Sequence, residues 1–121
     1  MSGGLALAVV AAGGVGAVLR YLATLLLPTD AATSRIPLGV LLVNAVGSFV
    51  AGFLIGLGSN LSTESTLILV TGFCGGLTTF STLSVDTIQL VERGRWRTAT
   101  ASIAANLILG IGLAALGFVL A

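Results

Sequence analysis

TGFCGGLTTFSTLS, Thr71 to Ser84, is the stretch on which the reading of this chain turns. It lies inside an apolar run from Leu67 to Val91, yet three of its fourteen residues are glycine and six are serine or threonine. Such material is poor for a continuous helix facing lipid, and the composition predicts a break near Gly75 to Thr79. Irregular backbone at membrane depth persists only where protein encloses it or where it lines an aqueous cavity, so the break calls for cover from another subunit. Carbonyls freed there suit a small cation, whereas freed N–H groups and half-helix N-termini suit an anion.

The rest of the sequence agrees that lipid is the solvent. Of 121 residues, 56% are hydrophobic and 7% charged, with mean hydropathy +1.16, far more apolar surface than a soluble domain of this length buries. Four apolar runs, Leu5 to Leu27, Leu38 to Leu57, Leu67 to Val91 and Thr98 to Leu120, are each long enough to cross a hydrocarbon core of about 30 Å. Residues 1–121 thus read as a single all-α transmembrane domain of four helices, the third broken at mid-membrane. The first run has no basic segment before it and exceeds the length of a signal-peptide core, so it reads as a retained span. Turn signals separate the runs at Pro28, Asp30 and Pro37, at Gly58 to Asn60 and at Glu92 to Arg95.

A single cysteine, Cys74, excludes an intramolecular disulfide, and a chain without histidine or an acidic cluster offers no usual transition-metal site. No nucleophile has a base near it in the sequence, so an enzyme is not expected. The few basic residues lie at helix ends rather than in a patch, which gives no footprint for nucleic acid.

Two stripes repeat every four residues: Asn44, Ser48, Gly52 and Gly56 in the second span, and Thr98, Ser102, Asn106 and Gly110 in the fourth. Small residues at this spacing let helices approach closely. The amides ask for more, because Asn44 and Asn106 near mid-span must face protein or water to keep their hydrogen bonds. Glue between helices and lining of a pathway both remain open for them. Arg20 and Asp86 sit near the ends of the first and third spans, on the same side, and are candidates for a structural pair within or between subunits. Arg93, Arg95 and Arg97 flank Trp96 as interfacial anchors.

Three segments, GGVGAVLRY at Gly13 to Tyr21, PLGVLLVNAVGSFVAGF at Pro37 to Phe53, and the Thr71 to Ser84 stretch, together resemble the CrcB/Fluc family of fluoride channels. The resemblance extends over all four spans. It implies an antiparallel, dual-topology dimer in the plasma (inner) membrane with two narrow pores, passive export of toxic fluoride, and a central sodium ion. By motif, the sodium ligands would be the backbone carbonyls of Gly75 and Thr78, repeated by the partner. The fluoride pathway would comprise Asn44, Phe80, Ser81, Thr82 and Ser102, with Leu83 where the family usually has a second phenylalanine. Donors from amides and hydroxyls replace the tightly held water of fluoride, and the positive edge of an aromatic ring attracts it.

Leu83 removes half of the aromatic constellation the resemblance implies. The arginines are biased too: Arg35, Arg93, Arg95 and Arg97 fall on one side, which by the positive-inside rule predicts a fixed orientation with both termini outside. These two departures raise the alternative of one half of a heterodimeric fluoride channel, whose oppositely inserted, homologous partner supplies the missing ring. Two other classes compete. A small dual-topology multidrug or cation exporter has a similar size but needs an acidic residue in the membrane, and the first span holds none. A non-transporting subunit would use the polar stripes as packing alone.

Overall fold

A computed structural model describes residues 2–27 and 36–121 of the chain; Pro28, Asp30 and Arg35, read above as turn and topology signals, lie outside the described residues. Four helices are long and apolar enough to cross a membrane: Gly3–Leu26, Leu38–Gly56, Thr63–Glu92 and Trp96–Leu120. Local chemistry sets their ends. The Ser2 hydroxyl accepts from the Leu5 N–H at 3.1 Å and Ser62 accepts from Ser65 at 3.1 Å, each satisfying an orphan donor of a first turn. Gly58 and Gly94 close the second and third spans with φ of 56° and 74°, left-handed values that glycine adopts without strain.

The helices pack as two parallel pairs. The second span's stripe meets the fourth in strict register: Asn44 faces Asn106, Ser48 faces Gly110, Gly52 faces Ala114 and Gly56 faces Phe118. Each step of four along one helix is matched by a step of four along the other, as parallel helices of like pitch require. Close approach is what the glycines provide. A Cβ on Gly52 would overlap the Ala114 carbonyl, and one on Gly56 would stand 2.7 Å from the Phe118 oxygen.

The first and third spans form the other pair by the same device. A Cβ on Gly72 would lie 2.7 Å from the Val9 oxygen, one on Gly76 would overlap the Gly13 carbonyl, and one on Gly16 would meet the Leu77 nitrogen at 2.7 Å. Over Leu67–Cys74 the third span widens to π-helical hydrogen bonding, a form frequent where a helix departs from regular geometry for function.

Helical geometry then lapses. Gly75–Leu77 complete one more turn, Thr78 turns extended (φ −79°, ψ 154°), and a new helix starts at Ser81 and runs to Glu92. The interruption therefore covers Thr78 to Phe80, overlapping the C-terminal part of the segment expected to break; Gly75 and Gly76 stay helical.

Little of the chain is buried by its own packing. The apolar core comprises Val40, Val43, Cys74, Leu77, Leu90 and Ala99, and among the described residues Gly16 alone is buried in the first helix. At the start of the fourth helix the Arg97 guanidinium lies 5.4 Å from the centre of the Trp96 ring, an arrangement suited to an interfacial anchor.

Gly52→Ala should therefore lower stability by about 1–3 kcal/mol through the forced separation of the second and fourth helices. Gly112→Ala, where a Cβ meets nothing within 4 Å, should be neutral or stabilising by up to about 1 kcal/mol through helix propensity. Unfolding in detergent micelles distinguishes the pair; equal effects would contradict the packing described.

Candidate functional site

The interruption is held by a side chain from another helix. Asn44, on the second span, accepts the Thr79 N–H at Oδ1 (2.8 Å) and donates from Nδ2 to the Thr79 carbonyl at 3.2 Å. Its amide thus pairs with both backbone groups of one residue, much as a neighbouring strand would. The same Nδ2 also donates to Asn106 Oδ1 at 3.0 Å, and Asn106 Nδ2 donates to the Ser102 carbonyl one turn back at 2.8 Å. Ser102, Thr79 and Asn106 are all buried, so each of these bonds forms where an unmet polar group would cost about 1–3 kcal/mol.

Threonine hydroxyls finish the ends of the two half-helices. Thr78 Oγ1 donates to the Cys74 carbonyl at 2.9 Å, while Thr79 Oγ1 accepts the Thr82 N–H at 3.1 Å and caps the helix that begins at Ser81. These bonds have a consequence for the carbonyls. In an unbroken helix the Gly75 and Thr78 carbonyls would accept from the N–H groups of Thr79 and Thr82. Both donors are diverted, one to Asn44 and the other to Thr79 Oγ1. Backbone oxygens relieved of their helical donors are the ligand type that hard cations take.

Two cavities open beside this framework. The first, of about 280 Å³, is lined by Asn44, Ser48, Thr78, Thr79, Phe80, Leu83, Asn106 and Leu107. Its lining includes the predicted residues Asn44, Phe80 and Leu83. The second, of about 370 Å³, is lined by Arg20, Tyr21, Thr24, Val40, Thr82 and Asp86. Arg20, Asp86 and Thr82 thus line one cavity. Ser81 is exposed, and Ser102 is buried and lines neither of these two cavities, its carbonyl accepting from Asn106. Phe80 is 82% exposed although it stands at the polar interruption.

Thr79 is absent from the residues predicted as a site, although it accepts or donates in most of the bonds that define the interruption. Its signal in the sequence is a threonine three residues before Thr82, the spacing at which a hydroxyl caps a helix start. Asn106, with both readings open above, is placed as a partner of Asn44.

Residues 7–118 match the family model described as "CrcB-like protein, Camphor Resistance (CrcB)". The chain belongs to the CrcB family. Among its relatives, the fluoride-specific ion channel FluC of Pyrococcus furiosus is 49% identical, across 90% of this chain and 89% of its own length. That of Thermococcus gammatolerans is 40% identical across 100% and 98%, and FluC 1 of Yersinia pseudotuberculosis 39% across 94% and 91%. The CrcB match takes in all four apolar helices, and the protein is a multi-pass membrane protein.

The capping geometry distinguishes the hydroxyl of Thr79 from that of Ser84. Thr79→Val, which keeps the shape but removes the cap on Thr82, should cost about 0.5–2 kcal/mol of stability. Ser84→Ala removes only a bond to the Phe80 carbonyl on an exposed face and should stay within about 0.5 kcal/mol of wild type. Thermal unfolding of the purified variants compares them.

Proposed function

We propose that this chain is a fluoride-selective channel that lets fluoride leave the cell passively, and that it works as an antiparallel, dual-topology dimer in the plasma (inner) membrane. The observation that carries the reading is the interruption at Thr78 to Phe80, braced by Asn44 and opening on a cavity lined by amides, hydroxyls and Phe80. Family membership and the names of the relatives supply the ion. With the third span crossing the bilayer, the interruption falls at mid-membrane, where hydrocarbon cannot satisfy its backbone groups. An exposed Phe80 and an exposed Gly75 at that level favour cover by a second copy.

The fluoride pathway is assigned to Asn44, Phe80, Ser81, Thr82, Leu83 and Ser102. Hydroxyl groups stand in for the anion's water where Asn44 lines the path, and a ring presenting its edge adds a positive quadrupole. A central sodium ion suits the Gly75 and Thr78 carbonyls, whose helical donors are among those diverted at the interruption. With their counterparts in the second copy they would hold it, and its charge would draw the two interruptions together. Arg20 and Asp86 are assigned as a structural pair at the edge of the second cavity.

Leu83 favours a second reading, in which the chain is one half of a heterodimer. It lines the same cavity as Phe80, at the position where the resemblance implies a second ring, and Arg93, Arg95 and Arg97 cluster at one membrane face. A homologous subunit inserted the other way would restore both the ring and the charge balance.

Fluoride efflux from proteoliposomes, followed with a fluoride electrode, tests the reading. Wild type should release fluoride and retain chloride, while Asn44→Ala and Phe80→Ala should each slow efflux by about tenfold or more, a barrier increase of at least about 1.4 kcal/mol. Leu83→Phe should sustain or raise the rate if the homodimer is the working form. Equal passage of chloride and fluoride would overturn the assignment.

A further inference from the structure

We infer that Asn106 is a positioning residue for the helix interruption: by setting the direction in which the Asn44 amide faces, it holds the Thr79 peptide in place from the fourth helix. The functional part of this inference rests on the reading just given. A primary amide presents two N–H donors on one side and a carbonyl on the other, and turned by half a revolution it fits the same space with the chemistry reversed. Nothing in the shape of Asn44 prevents that reversal. The hydrogen bonds do.

At one end, the Thr79 N–H requires an acceptor and takes Asn44 Oδ1. Asn44 Nδ2 is then turned toward the Thr79 carbonyl and toward Asn106, which must answer with Oδ1. Asn106 Nδ2 is consequently directed to the Ser102 carbonyl, an acceptor fixed in the backbone of the fourth helix. Backbone groups at both ends thus dictate the orientation of both side chains. Reversing Asn106 alone would set nitrogen against nitrogen at Asn44 and oxygen against oxygen at Ser102.

The relay also accounts for how Asn44 acts. Both of its N–H groups are engaged, one by Thr79 and one by Asn106, so in this geometry it has no donor left for a passing anion. Its contribution to transport is then the placement of the Thr79 peptide, with the diversion of the Thr79 N–H that frees the Gly75 carbonyl. Asn106 has a second N–H beyond the one given to Ser102, and it lines the same cavity as Phe80 and Thr78. Its assigned role is nonetheless the orientation of Asn44, because that is what its two bonds accomplish.

Backbone amide exchange, measured peptide by peptide on the purified full chain in lipid nanodiscs, reads the relay directly. Asn106→Leu, similar in size but without an amide, should accelerate exchange over residues 78–84 by about tenfold or more while leaving the first helix and residues 110–120 at wild-type rates. Asn106→Ser, too short to reach Asn44, should act in the same direction and serves where the leucine variant fails to fold. Because the two asparagines act in series, Asn44→Ala combined with Asn106→Leu should exchange no faster over 78–84 than Asn44→Ala alone. Wild-type exchange over 78–84 in both Asn106 variants, or a uniform rise along the whole chain, would overturn the inference. In proteoliposomes the same variants should slow fluoride efflux by about tenfold, and unchanged efflux beside accelerated exchange would overturn the role in transport. Should wild type carry no fluoride while exchange responds as stated, the relay stands and the channel reading alone falls.

Discussion

Backbone N–H and C=O groups cannot be left unmet inside a bilayer, and the arrangement of this protein follows from how one residue, Thr79, meets that demand. Its two backbone groups leave the helix and pair with the side chain of Asn44. For Thr79 this takes no water and no strand, only an amide at the right height on the neighbouring helix. The second helix must therefore lie close to the third span, and its height is set in turn by its glycine contacts with the fourth.

Those glycine contacts show how the same residue type serves two ends. Gly52 and Gly56 bring the second helix against the fourth, and Gly72 and Gly76 bring the third span against the first. Each glycine in a helix sacrifices about 1 kcal/mol of propensity relative to alanine, and the return is backbone contact that no larger side chain permits. Two tightly joined parallel pairs result. The polar interruption lies where they meet, with Gly47 on the second helix packed against the Thr78 methyl group.

Much of this was legible in the sequence because it is local and periodic. Four apolar runs give four helices, and the stripes beginning at Asn44 and Thr98 hold residues that meet, Asn44 against Asn106 and Ser48 against Gly110. The site of the interruption was legible only to within a few residues, and the reason is physical. Composition points to Gly75 and Gly76 as the weak place, yet both remain helical: the missing side chain of Gly76 allows close approach to Gly13, whereas a Cβ on Gly75 would meet only the Val70 oxygen at 3.8 Å. The interruption falls instead where a donor is taken away by a residue 35 positions earlier in the chain. Periodicity carries no information about such a long-range bond.

The same reasoning bears on how a pore residue should be recognised. An asparagine at mid-span suggests a donor to an anion, and its cost in lipid makes a functional role the natural reading. The hydrogen-bond inventory of Asn44 is complete without an anion, since Thr79 and Asn106 take both N–H groups. What it offers instead is a fixed backbone: the Thr79 peptide pinned, the Thr82 N–H capped and the Gly75 and Thr78 carbonyls released from the helix ladder. An amide that shapes the path by holding the chain around it is as sensitive to substitution as one that touches the ion. Loss of transport on mutating Asn44 therefore cannot by itself separate the two roles, whereas the response of the backbone at Thr79 can.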